Sequence, residues 1–396
     1  MTNRNATRRQ FLKGAGAVAA AAGAAPLLRT SKAEAARRDV NLFCWDGYVD
    51  PTLLDGFTEE YGVDVNYELL ISDPDAINRL RAGETKIWDI INLNQYWATK
   101  IMWPEKLIRP MDKDRMAGYF TEDKIYQVGG HVEKNIYSED GEHLIGIAQR
   151  ADCFDFGVNT DVISWETGNN LGWNMFLDPA MKGRYGILAY DNWNIFHILM
   201  TAGIDPYRKH TDDEIAKYGE IARQIVNGAK MITDDFVQIN LGMLNGEIDA
   251  GFSSGTYSLS GARLDGQWNL VHVSPKDGPA RGKGGINWIE ITSLVNNPDV
   301  NPAAEDFLEY CLQPEVSHLV AIAGGVLNPV LQMKQQSVYD MFSGDELRAI
   351  AYYPEHDDYG HMGYTYRLSH AVQYELNPDY DEMWEIYSDA RRTKQS

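Results

Sequence analysis

From residue 39 onward, short apolar runs of strand length alternate with amphipathic helical patterns, and this alternation restricts the possible folds more than any other feature. Residues 39–45 read as a strand. Asp50-Pro51 then supplies an N-cap and a first helical position, Leu53, Leu54, Phe57 and Tyr61 share one face, and Gly62 terminates the helix. Residues 63–70 alternate as a second strand. Asp73-Pro74 opens a helix carrying Ile77 and Leu80, and 88–94 is an apolar run suited to a buried parallel strand. The grammar returns further on. Strands are expected at 144–159, 182–189, 247–253 and after Gly285, with helices at 192–202, 211–226, 237–244 and from Asn301-Pro302. The tail from Gln332 reads as helical but irregular. The expectation is an α/β chain built on open sheets, with 144–159 crossing between two lobes.

The first 35 residues stand apart. Arg8-Arg9 precedes Phe11-Leu12-Lys13, an Ala/Gly-rich run follows to Leu28, and Ala33-Glu34-Ala35 has small-x-small spacing. That order reads as a twin-arginine secretory signal cleaved near Ala35. Cys44 follows the bulky Phe43, where lipid attachment needs a small residue, so the mature chain is expected to be soluble. Formal charge is −21, and the leader holds six basic residues and one acidic, so the mature chain is still more acidic. Such a surface repels nucleic acid and anionic lipid and attracts cations. Cys44, Cys153 and Cys311 lie among apolar neighbours and read as buried free thiols. No H-E-x-x-H or P-loop occurs. His356 and His361 with Asp357 and Asp358 read as polar surface, and Tyr352-Tyr353 as packing, so no metal or cofactor is expected.

In open α/β sheets, ligands bind beyond the carboxyl ends of strands. Four such ends pair an aromatic with a polar side chain: Trp45, Asp46 and Tyr48; Asn94 and Tyr96; Asp191, Trp193 and Asn194; Trp288 and Glu290. Ring faces attract ammonium groups and carboxylates bond to them, so the set points to a cationic solute. Taken singly, each aromatic fits a core position equally well, and Asp46 or Asp191 fits a helix cap.

These residues carry a family resemblance. Residues 43–49 (Phe-Cys-Trp-Asp-Gly-Tyr-Val), 88–96 (Trp-Asp-Ile-Ile-Asn-Leu-Asn-Gln-Tyr), 245–251, 286–290 and 307–316 resemble the periplasmic spermidine/putrescine-binding proteins of ABC importers. The resemblance spans roughly 39 to 345. It implies a two-lobed, type II periplasmic-binding fold with crossing hinge strands. Lobe 1 would hold 39–147 plus about 290–330, and lobe 2 would hold 148–289 plus about 331–396. It further implies a monomer in the periplasm, a small amine ligand and inner-membrane permease subunits as partners. Trp45 and Tyr48 match cleft residues, Asn94 stands where the family often has Ser, and Tyr96 matches an aromatic of some members. Asp191 matches an amine-binding Asp, Trp288 a Trp that packs on the methylene chain, and Glu290 replaces an Asp that grips ammonium. Departures are Gly47 for an acidic residue (with Asp46 beside it), Asn194 for a carboxylate, Ser254 for Trp and Gly325 for Tyr. Arg150, on the expected crossing, fits either a clasp on the acidic group of a zwitterionic solute or a salt bridge to Asp152 or Asp155. A third reading, an exported hydrolase or lyase using Asp191 and Glu290 as acid and base, needs chemistry that a binding protein does not.

Overall fold

Local chemistry begins and ends the elements as the pattern requires. The computed structural model describes residues 39–395 apart from 122, 126–131 and 353–362. Strand β1 (Val40–Cys44) leads into helix α1 (Pro51–Tyr61), where the Asp50 side chain accepts from Thr52 N at 2.8 Å. Gly62 ends α1 at φ 67°, a left-handed conformation that costs glycine little. Strand β2 (Val65–Leu69) follows, then α2 (Asp73–Arg81), capped by Ser72. Next come β3 (Ile90–Asn94) and a short helical segment, Gln95–Trp97, continued by Ala98–Met102.

The middle of the chain holds β4 (Ile147–Asn159), β5 (Tyr185–Leu188), α3 (Asp191–Thr201) and α4 (Asp212–Gly228). Thr211 and Glu214 form the capping box at the start of α4. After β6 (Met231–Thr233) come β7 (Ala250–Gly255), α5 (Thr256–Leu264), β8 (Leu270–Val273) and β9 (Gly285–Leu294). The tail carries α6 (Tyr364–Ser369), β10 (Ala371–Gln373) and α7 (Tyr380–Gln395).

Among the described residues, ten strands share one mixed sheet, ordered β2-β1-β3-β9-β4-β7-β5-β6, with β10 beside β9 and β8 beside β4. Pairing is parallel within β2-β1-β3 and within β7-β5-β6, and antiparallel from β3 through β9 and β4 to β7. The two long strands β4 and β9, buried along their whole length, therefore join the two parallel groups. The register of β4 on β9 shifts between Ala148 and Ala151, leaving Gln149 and Arg150 in a bulge. A bulge of this kind re-aims a side chain. There the β4 backbone turns to the 326–330 segment, with Ala151 N donating to Pro329 O at 3.2 Å.

Strand β10 was not expected: the tail pattern is helical, yet three residues pair in parallel with Gly285–Asn287. The three cysteines are buried and none is in a disulfide. Among the described residues no helix is long and apolar enough to cross a membrane.

Candidate functional site

Strand ends, the β4 bulge and the tail helix converge on one cavity of about 490 Å³. Among the described residues, eight aromatics line it: Trp45, Phe154, Tyr190, Trp193, Tyr257, Trp288, Tyr380 and Trp384. Phe154, Tyr190 and Tyr257 stack on one another with centroids 6.0–6.1 Å apart. This size and aromatic lining suit a small organic solute rather than a macromolecule.

One pole is built on β9 and the bulge. Trp288 and Glu290 are two residues apart on β9, hence on one face, and Asn94 lies opposite Glu290 across the β3–β9 pair. Asn94 is fixed by Asp73, to which its Nδ2 donates at 2.8 Å, and burial raises the Asp73 carboxyl to about 6. Arg150 reaches the same pole. Its Nε and Nη2 donate to Glu290 Oε2 and Oε1 at 2.6 and 2.9 Å, a two-pronged pair with Arg150 2% and Glu290 6% exposed. The Tyr48 hydroxyl donates to Glu290 at 3.2 Å, and the Arg150 guanidinium lies 4.8 Å from the Tyr48 ring centre. Burial, then the nearby Glu290 charge, holds the Tyr48 phenol well above its ordinary range.

The other pole is the start of α3. Asp191 is its first residue, and its carboxylate is bonded to Arg391 of α7 and accepts from the Tyr387 hydroxyl at 3.1 Å. Asp381, also on α7, is exposed at the cavity wall.

Of the residues singled out from sequence, Trp45, Asn94, Arg150, Asp191, Trp193, Trp288 and Glu290 are brought together on the cavity wall. Tyr48 is not on it: it is buried behind the Arg150–Glu290 pair, because the turn at Asp46–Tyr48 tucks its ring into the core. The Asp46 side chain lies outside the described set. Asn194 is fully buried one turn into α3, donating to Leu188 O at 2.9 Å and to the Tyr387 hydroxyl at 3.1 Å. Ser254 is not among the lining residues, and its hydroxyl bonds that of Ser258 at 2.8 Å. Tyr96, half-buried on the helical turn after β3, is also off the wall. Arg150 pairs with neither Asp152 nor Asp155, since the bulge turns it toward β9; Asp152 is held instead by Arg367 at 3.0 Å. Tyr352 is buried with its hydroxyl donating to Met333 O at 3.3 Å, while Tyr353, His356, Asp357, Asp358 and His361 lie outside the described residues. Among the described residues no group of three His, Cys, Asp or Glu is arranged to hold a metal ion.

Sequence reasoning missed Phe154, Tyr190, Tyr257, Tyr380, Asp381 and Trp384. Tyr257 follows β7, so the strand-end rule would have reached it had that strand been included. The α7 residues obey no strand-end rule. Their only signal is Tyr380 and Trp384 one helical turn apart with an acid beside them.

A two-sided mixed sheet whose strand ends surround a ligand-sized aromatic cavity defines a solute-binding protein. More particularly, the chain belongs to the bacterial extracellular solute-binding proteins, whose family model matches residues 52–342. A twin-arginine signal sequence matches 5–25, so the protein is exported to the periplasm by that route. The spermidine/putrescine-binding periplasmic protein of Salmonella typhimurium is 25% identical over 323 residues, covering 79% of this chain and 84% of that one. The spermidine/putrescine ABC transporter substrate-binding protein of Streptococcus pneumoniae aligns at TM-score 0.62 and 17% identity, covering 89% and 99% of the two chains. A Treponema pallidum lipoprotein aligns at TM-score 0.66 and 12% identity, covering 90% and 100%. Its family makes this chain a solute-binding protein that takes up a small-molecule ligand.

Proposed function

We propose that the solute is a small organic amine of polyamine type, captured between two lobes and released unchanged to the permease. The observation that carries this reading is the wall itself: eight aromatic side chains with the carboxylates Asp191, Glu290 and Asp381 among them. Ring faces replace water around a methylene chain and attract its charged nitrogens. Curated relatives named for spermidine and putrescine support the same solute class. The lobes are read as 39–147 with about 290–330, and 148–289 with about 331–396, hinged on β4 and β9. Contacts of α7 with α3 and α4 agree with placing the tail in the second lobe. The working unit is read as a monomer. Calorimetry with putrescine and spermidine tests the solute class: saturable binding with unchanged ligand recovered is expected, whereas no heat from either, or turnover of the amine, would sink it.

A second reading is favoured by Arg150. It lies on the wall, and its pairing neutralises Glu290, the acid otherwise suited to ammonium. A zwitterion such as an amino acid, an ω-amino acid or a betaine would offer a carboxylate to compete for that guanidinium. Adding γ-aminobutyrate and glycine betaine to the titrations separates the two. Arg150→Ala should abolish binding of a zwitterion while leaving a diamine bound.

A further inference from the structure

The chain beyond residue 342 lies outside the span matched by the family model, yet it builds one wall of the cavity. Tyr380, Asp381 and Trp384, all in the first turns of α7, line the solute space. Tyr380 and Trp384 stack with centroids 6.2 Å apart and planes 22° from parallel. The Tyr380 hydroxyl is buried without a hydrogen-bond partner among the described residues, and Trp384 is 39% exposed.

Charge pairing singles out the same place. Glu290 is bonded to Arg150, and Asp191 is bonded to Arg391. Asp381 has no lysine, arginine or histidine paired with it among the described residues, so of the three wall carboxylates it is the one whose charge is not already offset by a cation of the chain. The helix is held firmly in place. Tyr387 bonds both Asp191 and Asn194, and Lys394 Nζ donates to Val226 O at 2.8 Å. Asp191 and Asn194, expected from sequence to meet the solute, thus serve to seat α7.

We infer that Asp381, with the faces of Tyr380 and Trp384, forms the subsite for the solute's ammonium group, and that Asp191 positions this subsite instead of gripping the amine itself. The inference rests on the amine reading above. An acid in the first turn of a helix also stabilises that helix. A purely structural Asp381 would therefore lower stability and leave affinity alone.

The test is calorimetry on the mature protein with putrescine, spermidine and γ-aminobutyrate. For whichever ligand binds, Asp381→Asn should weaken affinity at least about tenfold, and Asp381→Glu, which keeps the charge, should stay within about threefold. Trp384→Ala should weaken the same ligand, and thermal unfolding should show all variants folded. Asp381→Asn binding within about twofold of the parent overturns the subsite while leaving the amine reading intact. Failure of all three ligands to bind the parent protein overturns both.

Discussion

At residue 47 the chain has glycine where the resemblance expects an acid, and the structure supplies a steric reason. A Cβ there would sit 1.4 Å from Arg150 Nη1. An acidic side chain at 47 and the observed Arg150 rotamer exclude each other, so the Gly47–Arg150 combination exchanges a negative group for a positive one at this pole. Gly47→Ala should displace Arg150 and take its guanidinium off the buried Glu290, lowering stability by about 1–3 kcal/mol in urea unfolding. Combined with Arg150→Ala, the two losses should fall short of additive by at least about 0.5 kcal/mol, because the clash is then gone. His197 offers a pH test. Its ring is buried, facing Ser253 Oγ at 2.6 Å and the Phe154 carbonyl at 3.3 Å, and burial lowers it to about 3. Between that value and its unfolded value near 6.5, the unfolded chain binds a proton that the native one refuses, so stability falls as pH drops through this window. Measured against its own value at pH 7, His197→Gln should lose about 2 kcal/mol less than the parent at pH 4.5.

At the scale of elements, the tail is pinned to the crossing strand by a buried ion pair. Arg367 of α6 bonds Asp152 of β4 at 3.0 Å and Thr256 Oγ1 at 2.7 Å, while Thr256 N donates to Asp152 at 2.7 Å. Both charged side chains are fully buried. Arg367→Met would strand the Asp152 carboxylate, and a loss of about 3–5 kcal/mol is expected in denaturant unfolding. Asp152→Asn added to it should recover part of that loss. The elements that sequence located well are those with their own caps, such as α1 between Asp50 and Gly62 and α4 behind Thr211 and Glu214. Strand β10 carries no such signal. Three residues between helical patterns become a strand only because the start of β9 offers unpaired backbone beside them.

For the whole molecule, a solute that binds only the folded form must raise the unfolding temperature with its logarithmic concentration. Thermal melts over a hundredfold range above Kd should therefore show about 2.7 kcal/mol of added stability for the true solute. Export is checked separately: replacing Arg8 and Arg9 by lysine should trap precursor in the cytoplasm on immunoblots, and the exported form should begin after Ala35 by intact mass. The signal, the α/β architecture and the family were all legible in the chain, because each is written in local order: charge before apolar run, strand before helix, cap before turn. Trp45, Asn94, Arg150, Asp191, Trp288 and Glu290 could likewise be named from strand ends and resemblance, and they do share one cavity. What sequence could not supply was which charges cancel. Arg150 meets Glu290 across 140 residues and Arg391 meets Asp191 across 200, pairings that no local pattern encodes. Only the packed sheet, with its bulge and its returning tail helix, brings those partners together, and so decides which carboxylate is left to face a solute.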